Sequence, residues 1–115
     1  MSRSDQYKAI LRALNVDDWE PFLLRESGLP GPRGNIELGH AVADEGDEAL
    51  FRRYLAHDAA SAPTNTPHEF LAFCGVLGLG KLLAAGRRDL FSELRAYASD
   101  PRWRTREAVA MALQR

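Results

Sequence analysis

Apolar side chains recur along this chain at three- and four-residue spacing, and strand-like alternation is never sustained, so the sequence reads as helical from end to end. Tyr7, Ile10, Leu11 and Leu14 share one face of a first helix, with Ser4 as its expected N-cap. Asp17 or Asp18 is placed to cap a second helix that carries Pro21 in its first turn, has Trp19, Phe22 and Leu23 on its apolar side, and stops at Gly28. After the turn-rich "GLPGPRG", a third helix is expected from about Asn35 to Glu45 with Gly46 behind it. Asp47 then opens a fourth, striped by Leu50, Phe51, Tyr54 and Leu55. "TPHE" predicts a fifth start, with Thr66 as cap, Pro67 in the first helical position and Glu69 closing a capping box. That helix runs to about Ala85 and stops at Gly86. A sixth covers about Arg88 to Ala98, and Asp100 with Pro101 starts a seventh.

Seven short helices invite a search for repeats. "HEFLAFCGV" lies over "REAVAMALQ" at an offset of 38, which places Glu69 on Glu107, Leu71 on Val109 and Ala72 on Ala110. "LFRRYLAHD" lies over "LFSELRAYASD" at an offset of 40, which places Leu50–Phe51 on Leu90–Phe91. Earlier, "NIELGHAVA" carries Glu37 before a run of small residues.

The last of these units resembles the HEAT repeat family. Its second helix commonly reads Asp-Pro, a gap, an apolar residue, Arg, then spaced alanines and a leucine, and here those places hold Asp100, Pro101, Arg106, Ala108, Ala112 and Leu113. Thr105 stands where valine is usual, a departure that keeps the β-branch. "LFSELRAYAS" resembles the matching first helix through Leu90, Phe91, Leu94 and Tyr97. The resemblance is clear over 88–115 and faint over 18–86; residues 1–15 match nothing and suit an N-terminal cap. It implies an all-α, right-handed α-solenoid of about three helix pairs plus the extra first helix, in one repeat domain over 1–115 that binds without chemistry. In such a stack Ala108, Ala110 and Ala112 let helices approach closely, while Val109, Leu113 and Trp103 fit between layers. Either the helix before Arg115 is a terminal cap or the chain belongs to a longer array, whose exposed apolar end favours self-association.

Composition adds few constraints. A hydrophobic share of 45% and a charged share of 27% suit a water-soluble domain, and a net charge of −1 gives no overall pull toward nucleic acid or acidic lipid. Residues 1–80 carry 7 Lys/Arg against 12 Asp/Glu, a net of −5, whereas residues 81–115 carry 8 against 4, a net of +4. Cys74 is the single cysteine, which excludes an intrachain disulfide and fits a reducing cytoplasm. "MSRSDQYKAILRAL" lacks a signal peptide's apolar core, and the apolar window Phe70–Ala85 contains Lys81 and is shorter than the roughly 20 residues a bilayer needs, so no membrane is expected.

Candidate chemistry is sparse. Gly75, Gly80 and Lys81 satisfy most of a phosphate-loop pattern, but Leu82 replaces the hydroxyl residue and a helix precedes it where a strand is needed. The better expectation is that Gly75, Gly78 and Gly80 are close-contact points in a buried helix. His40, His57 and His68 have no metal-ligand spacing, "ADEGDE" (44–48 with Ala43) is not a calcium loop, and Cys74 reads as a small buried hydrophobe. No catalytic residue, cofactor or metal is therefore assigned. The expected function is a non-catalytic scaffold for another protein, using a face of successive second helices around Arg102, Arg104 and Glu107. Arg87, Arg88, Arg95, Arg102 and Arg104 are the expected contact residues, and the alternative partner for them is nucleic acid, as in the HEAT-like DNA glycosylases at the level of fold.

Overall fold

The longest and most apolar helix sets the architecture. In the computed structural model, which describes residues 2–114, α5 (Glu69–Ala84) is buried on every side from Glu69 to Gly80. A helix that is apolar all round demands cover all round. Here α3 (Ile36–Glu45), α4 (Glu48–Leu55) and α7 (Trp103–Leu113) pack directly against it, with lighter contacts from α2 (Trp19–Glu26) and α6 (Phe91–Ala96). The remaining helix, α1 (Arg3–Ala13), packs on α3. The described residues thus form seven α-helices and no strand, in agreement with the all-α expectation.

Close approach to α5 is bought with glycine. A Cβ on Gly78 would overlap the Phe51 ring of α4, and one on Gly80 would overlap Ala112 of α7. Gly39 of α3 likewise faces Phe73 and Leu77. The glycines of the phosphate-like pattern are therefore packing points inside a continuous helix, and Lys81 ends in an ion pair with Asp44 at 2.9 Å.

Charged contacts fasten the flanks. Asp44 on α3 lies 2.9 Å from both Lys8 of α1 and Lys81 of α5, and Arg12 of α1 donates two 2.8 Å hydrogen bonds to Glu45. Burial pushes the Asp44 carboxyl up, but the two flanking ammonium groups outweigh it and hold its pKa at about 2, below the ordinary 3.8. On another edge Arg52 of α4 bridges Glu48 and Glu93, and Arg87 reaches Glu48, so α6 is tied to α4.

Most helix ends follow local rules. Asn35 and Asp47 cap α3 and α4 by accepting from the N–H of Leu38 and Leu50. Gly28 and Gly86 take positive φ just past α2 and α5, where a Cβ is disfavoured. The Leu29–Pro30 peptide is cis. Four starts differ from expectation. Asp18 precedes α2 but makes no side-chain capping bond. Ser2, not Ser4, caps α1, its Oγ accepting from Asp5 N. The 64–68 segment forms turns, so α5 begins at Glu69, two residues after Pro67, and Thr66 Oγ1 donates to the Pro63 carbonyl instead of capping. Asp100 accepts from Arg102 N in a tight turn, and α7 begins only at Trp103.

The helices α1, α3, α5 and α7 begin at Arg3, Ile36, Glu69 and Trp103, which are 33, 33 and 34 residues apart. The spacing of these helix starts is therefore shorter than the 38–40 offsets of the sequence match. By helix starts Glu69 corresponds to Trp103, while Glu107 is the fifth residue of its helix. The match of Leu50–Phe51 to Leu90–Phe91 holds at its first position only: Leu50, Phe51 and Leu90 are buried, Phe91 is exposed.

Candidate functional site

The five arginines expected to meet a partner divide into two groups. Arg102 and Arg104 are interior, each 2% exposed. Arg102 pairs with Asp100 through Nε at 2.9 Å and Nη2 at 3.0 Å, and its Nη1 donates to the carbonyls of His57 at 2.8 Å and Ala62 at 3.3 Å. It thereby pins the 56–65 connection. Arg104 donates to the Gly31 carbonyl at 2.7 Å and lies 3.7 Å over the Trp103 ring, pinning the 28–35 connection. Loop carbonyls need donors once buried, and a guanidinium supplies several from one side chain. These two arginines are consumed by the fold and form no part of its contact surface.

A buried carboxylate completes this hub. Glu69 is fully enclosed; one of its oxygens accepts from Asn65 N at 2.6 Å, and the other accepts from Thr105 N at 2.9 Å and Thr105 Oγ1 at 3.0 Å. Glu69 thus does reach back in the manner of a capping box, but to Asn65, and it also closes the first turn of α7 across 36 residues of chain. Thr105, the departure from the usual valine, has its hydroxyl accounted for by this bond. Arg106 donates to the Asp100 carbonyl at 2.7 Å.

Trp103 does not sit between layers; it is 42% exposed. Thr105, Ala108, Val109 and Ala112 face the interior, and Ala112 meets Gly80. Trp103 precedes Ala112 by nine residues, which at about 100° per residue puts it on the opposite side of α7. Ala110 is exposed for the same reason, and Leu113 is exposed at the last residue of the helix, on its flank.

Arg87, Arg88 and Arg95 remain at the surface. Arg87 is engaged, with Glu48 at 2.7 Å and Asp89 at 3.0 Å. Arg88 and Arg95 form no ion pair among the described residues. They flank Phe91, three residues from one and four from the other, so all three share one exposed face of α6 and its lead-in turn. The face expected along successive second helices is interrupted, because α5 between α3 and α7 is enclosed.

Other candidates resolve simply. Cys74 is sealed within α5, where burial pushes its thiol well above the ordinary range and disfavours the nucleophilic thiolate. His57 and His68 lie ring to ring, 6.2 Å apart. The acidic run is spent on structure: Asp44 and Glu45 pair with α1 and α5, Asp47 caps α4, and Glu48 holds Arg52 and Arg87. Among the described residues no group of three His, Cys, Asp or Glu could hold a metal ion, and no helix is long and apolar enough to cross a membrane.

One feature escaped sequence reasoning. A concavity lies at the other end of the chain, where Arg3, Arg25 and Arg33 meet around Tyr7 and Asn35. The net acidity of residues 1–80 concealed it, since three separated arginines carry no local signature. No family model, no curated protein and no solved structure matches this chain.

Proposed function

We propose that this chain is a HEAT-like helical-repeat scaffold that binds another protein, in a reducing cytoplasm, with no chemistry of its own. The observation that carries the reading is the regular succession of α1, α3, α5 and α7, which start 33 or 34 residues apart and pack each on the next. Nearest-neighbour packing of equivalent helices is the physical definition of a repeat stack. In this reading α6, tied to α4 through Arg52 and Glu93, offers the contact. Arg88 and Arg95 supply unpaired positive charge, and Phe91 supplies an exposed aromatic anchor between them. The complementary partner is an acidic segment with one apolar residue. Nucleic acid is the weaker alternative, because burial removes Arg102 and Arg104 from the phosphate contacts it needs.

A fluorescein-labelled peptide of alternating Glu and Asp around a single Leu, followed by anisotropy, tests this. Wild-type protein should bind it saturably, and Phe91→Ser or Arg88→Glu with Arg95→Glu should weaken binding at least tenfold without changing the circular dichroism. Absence of binding to a set of such peptides overturns the reading. Salt-steep binding to duplex DNA or single-stranded RNA, lost in the same charge variant, replaces it with the nucleic-acid alternative.

A further inference from the structure

The concavity at the N-terminal end of the chain has a donor inventory that points to a ligand. Its volume is about 510 Å³, within the usual size of small-molecule sites. Three guanidinium groups line it, each from a different element: Arg3 from α1, Arg25 from α2 and Arg33 from the 28–35 connection. Asn35 and Glu37, the cap and second residue of α3, border it as well, so the positive end of a ten-residue helix adds to the same field.

Tyr7 supplies a second and independent sign. It is a buried residue at the floor of the concavity, and its hydroxyl oxygen accepts from Arg3 Nη2 at 3.0 Å and from Asn35 Nδ2 at 3.1 Å. The orientation of the Asn35 amide is fixed from both sides. Its Nδ2 donates to the Glu26 carbonyl at 2.8 Å, and its Oδ1 accepts from Leu38 N at 3.2 Å. Both neighbours of the Tyr7 oxygen are therefore donors, and the hydroxyl proton has no acceptor among them. An O–H donor left over at the floor, beneath three guanidiniums, calls for an acceptor from outside.

The two carboxylates present do not meet that need. Arg25 and Glu26 stand 4.0 Å apart, and Arg33 and Glu37 stand 3.7 Å apart, both at exposed side chains where such pairs contribute little. Arg25 also lies over the Phe22 ring at 5.5 Å, and neither arginine is held by a close ion pair. We infer that the concavity formed by Arg3, Tyr7, Arg25 and Arg33 binds a phosphate group carried on a small polar molecule. Phosphate suits it better than carboxylate because three guanidiniums and a phenol offer more donors than two carboxylate oxygens can use. The inference is independent of the scaffold reading, since α6 contributes nothing to this site.

Amide-resolved NMR with inorganic phosphate and ribose 5-phosphate, against chloride at matched ionic strength, tests it. Both probes should produce saturable shifts in the amides of residues 3–7 and 25–37, with the sugar phosphate binding more tightly. Arg25→Ala combined with Arg33→Ala alters exposed side chains only and should weaken binding at least tenfold. Tyr7→Phe should weaken it several-fold, with the remaining spectrum used to verify folding. The inference is overturned if the shifts fail to saturate, if the double arginine variant gives the same shifts as wild type, or if acetate binds as tightly as phosphate.

Discussion

Glu69 shows how much one residue decides here. All of its neighbours at the carboxylate are donors: Asn65 N, Thr105 N and Thr105 Oγ1. Glu69→Ala should therefore destabilise the protein by roughly 3 kcal/mol, because three donors, two of them buried, lose their acceptor. Glu69→Gln keeps the shape but turns an NH₂ toward a donor, so it too should lower the denaturation midpoint; a Gln variant as stable as wild type would refute the assigned geometry. Gly78 is decisive for a different reason. Gly78→Ala places a methyl group against the Phe51 ring and should cost about 1–3 kcal/mol by overpacking, measurable in urea. The Gly78 close contact was readable from glycine in an apolar helix. The role of Glu69 was only half readable, since its backward reach is local but its partner in α7 lies 36 residues on.

At the scale of elements, several helix boundaries were legible because their capping partner sits within a few residues. Asn35, Asp47, Gly28 and Gly86 act as their types and positions suggest. The misplaced starts at Ser4, Thr66 and Asp100 each had a competing local bond: Ser2 Oγ to Asp5 N, Thr66 Oγ1 to Pro63, and Asp100 to the N–H and guanidinium of Arg102. How helices fasten to one another was not legible at all. The Lys8–Asp44–Lys81 ladder joins α1, α3 and α5, and its sign fixes a pH dependence. The folded pKa of Asp44 is depressed to about 2 from an ordinary 3.8, so its stabilisation is complete above 3.8 and disappears as pH falls toward 2. Asp44→Asn should cost about 2 kcal/mol at neutral pH, and the gap between variant and wild type should close across that acid window. A gap that persists at pH 2 would assign the loss to packing instead of charge.

The whole molecule is organised around α5, which touches α2, α3, α4, α6 and α7. Its radius of gyration of 12.8 Å is that of a compact domain of this length, about 13 Å. Such shared packing predicts one cooperative unfolding step. Trp19 on α2 and Trp103 on α7 report from separate elements, so the fluorescence transition should coincide with loss of helical circular dichroism. Two resolved transitions would show that α7 unfolds as a unit of its own. Periodicity and caps were enough to establish an all-helical chain of seven elements with a buried fifth helix, because those signals live within one or two turns. Which arginines reach water was settled elsewhere. Arg102 and Arg104 look like surface residues in their own segment, and arginine is usually exposed. Carbonyls of Gly31, His57 and Ala62, brought from 40 to 73 residues away, draw them inside, while Arg3, Arg25 and Arg33, unremarked along the chain, meet at one concavity. Distances along the chain carry no information about such meetings; only the packing of α5 and its neighbours creates them.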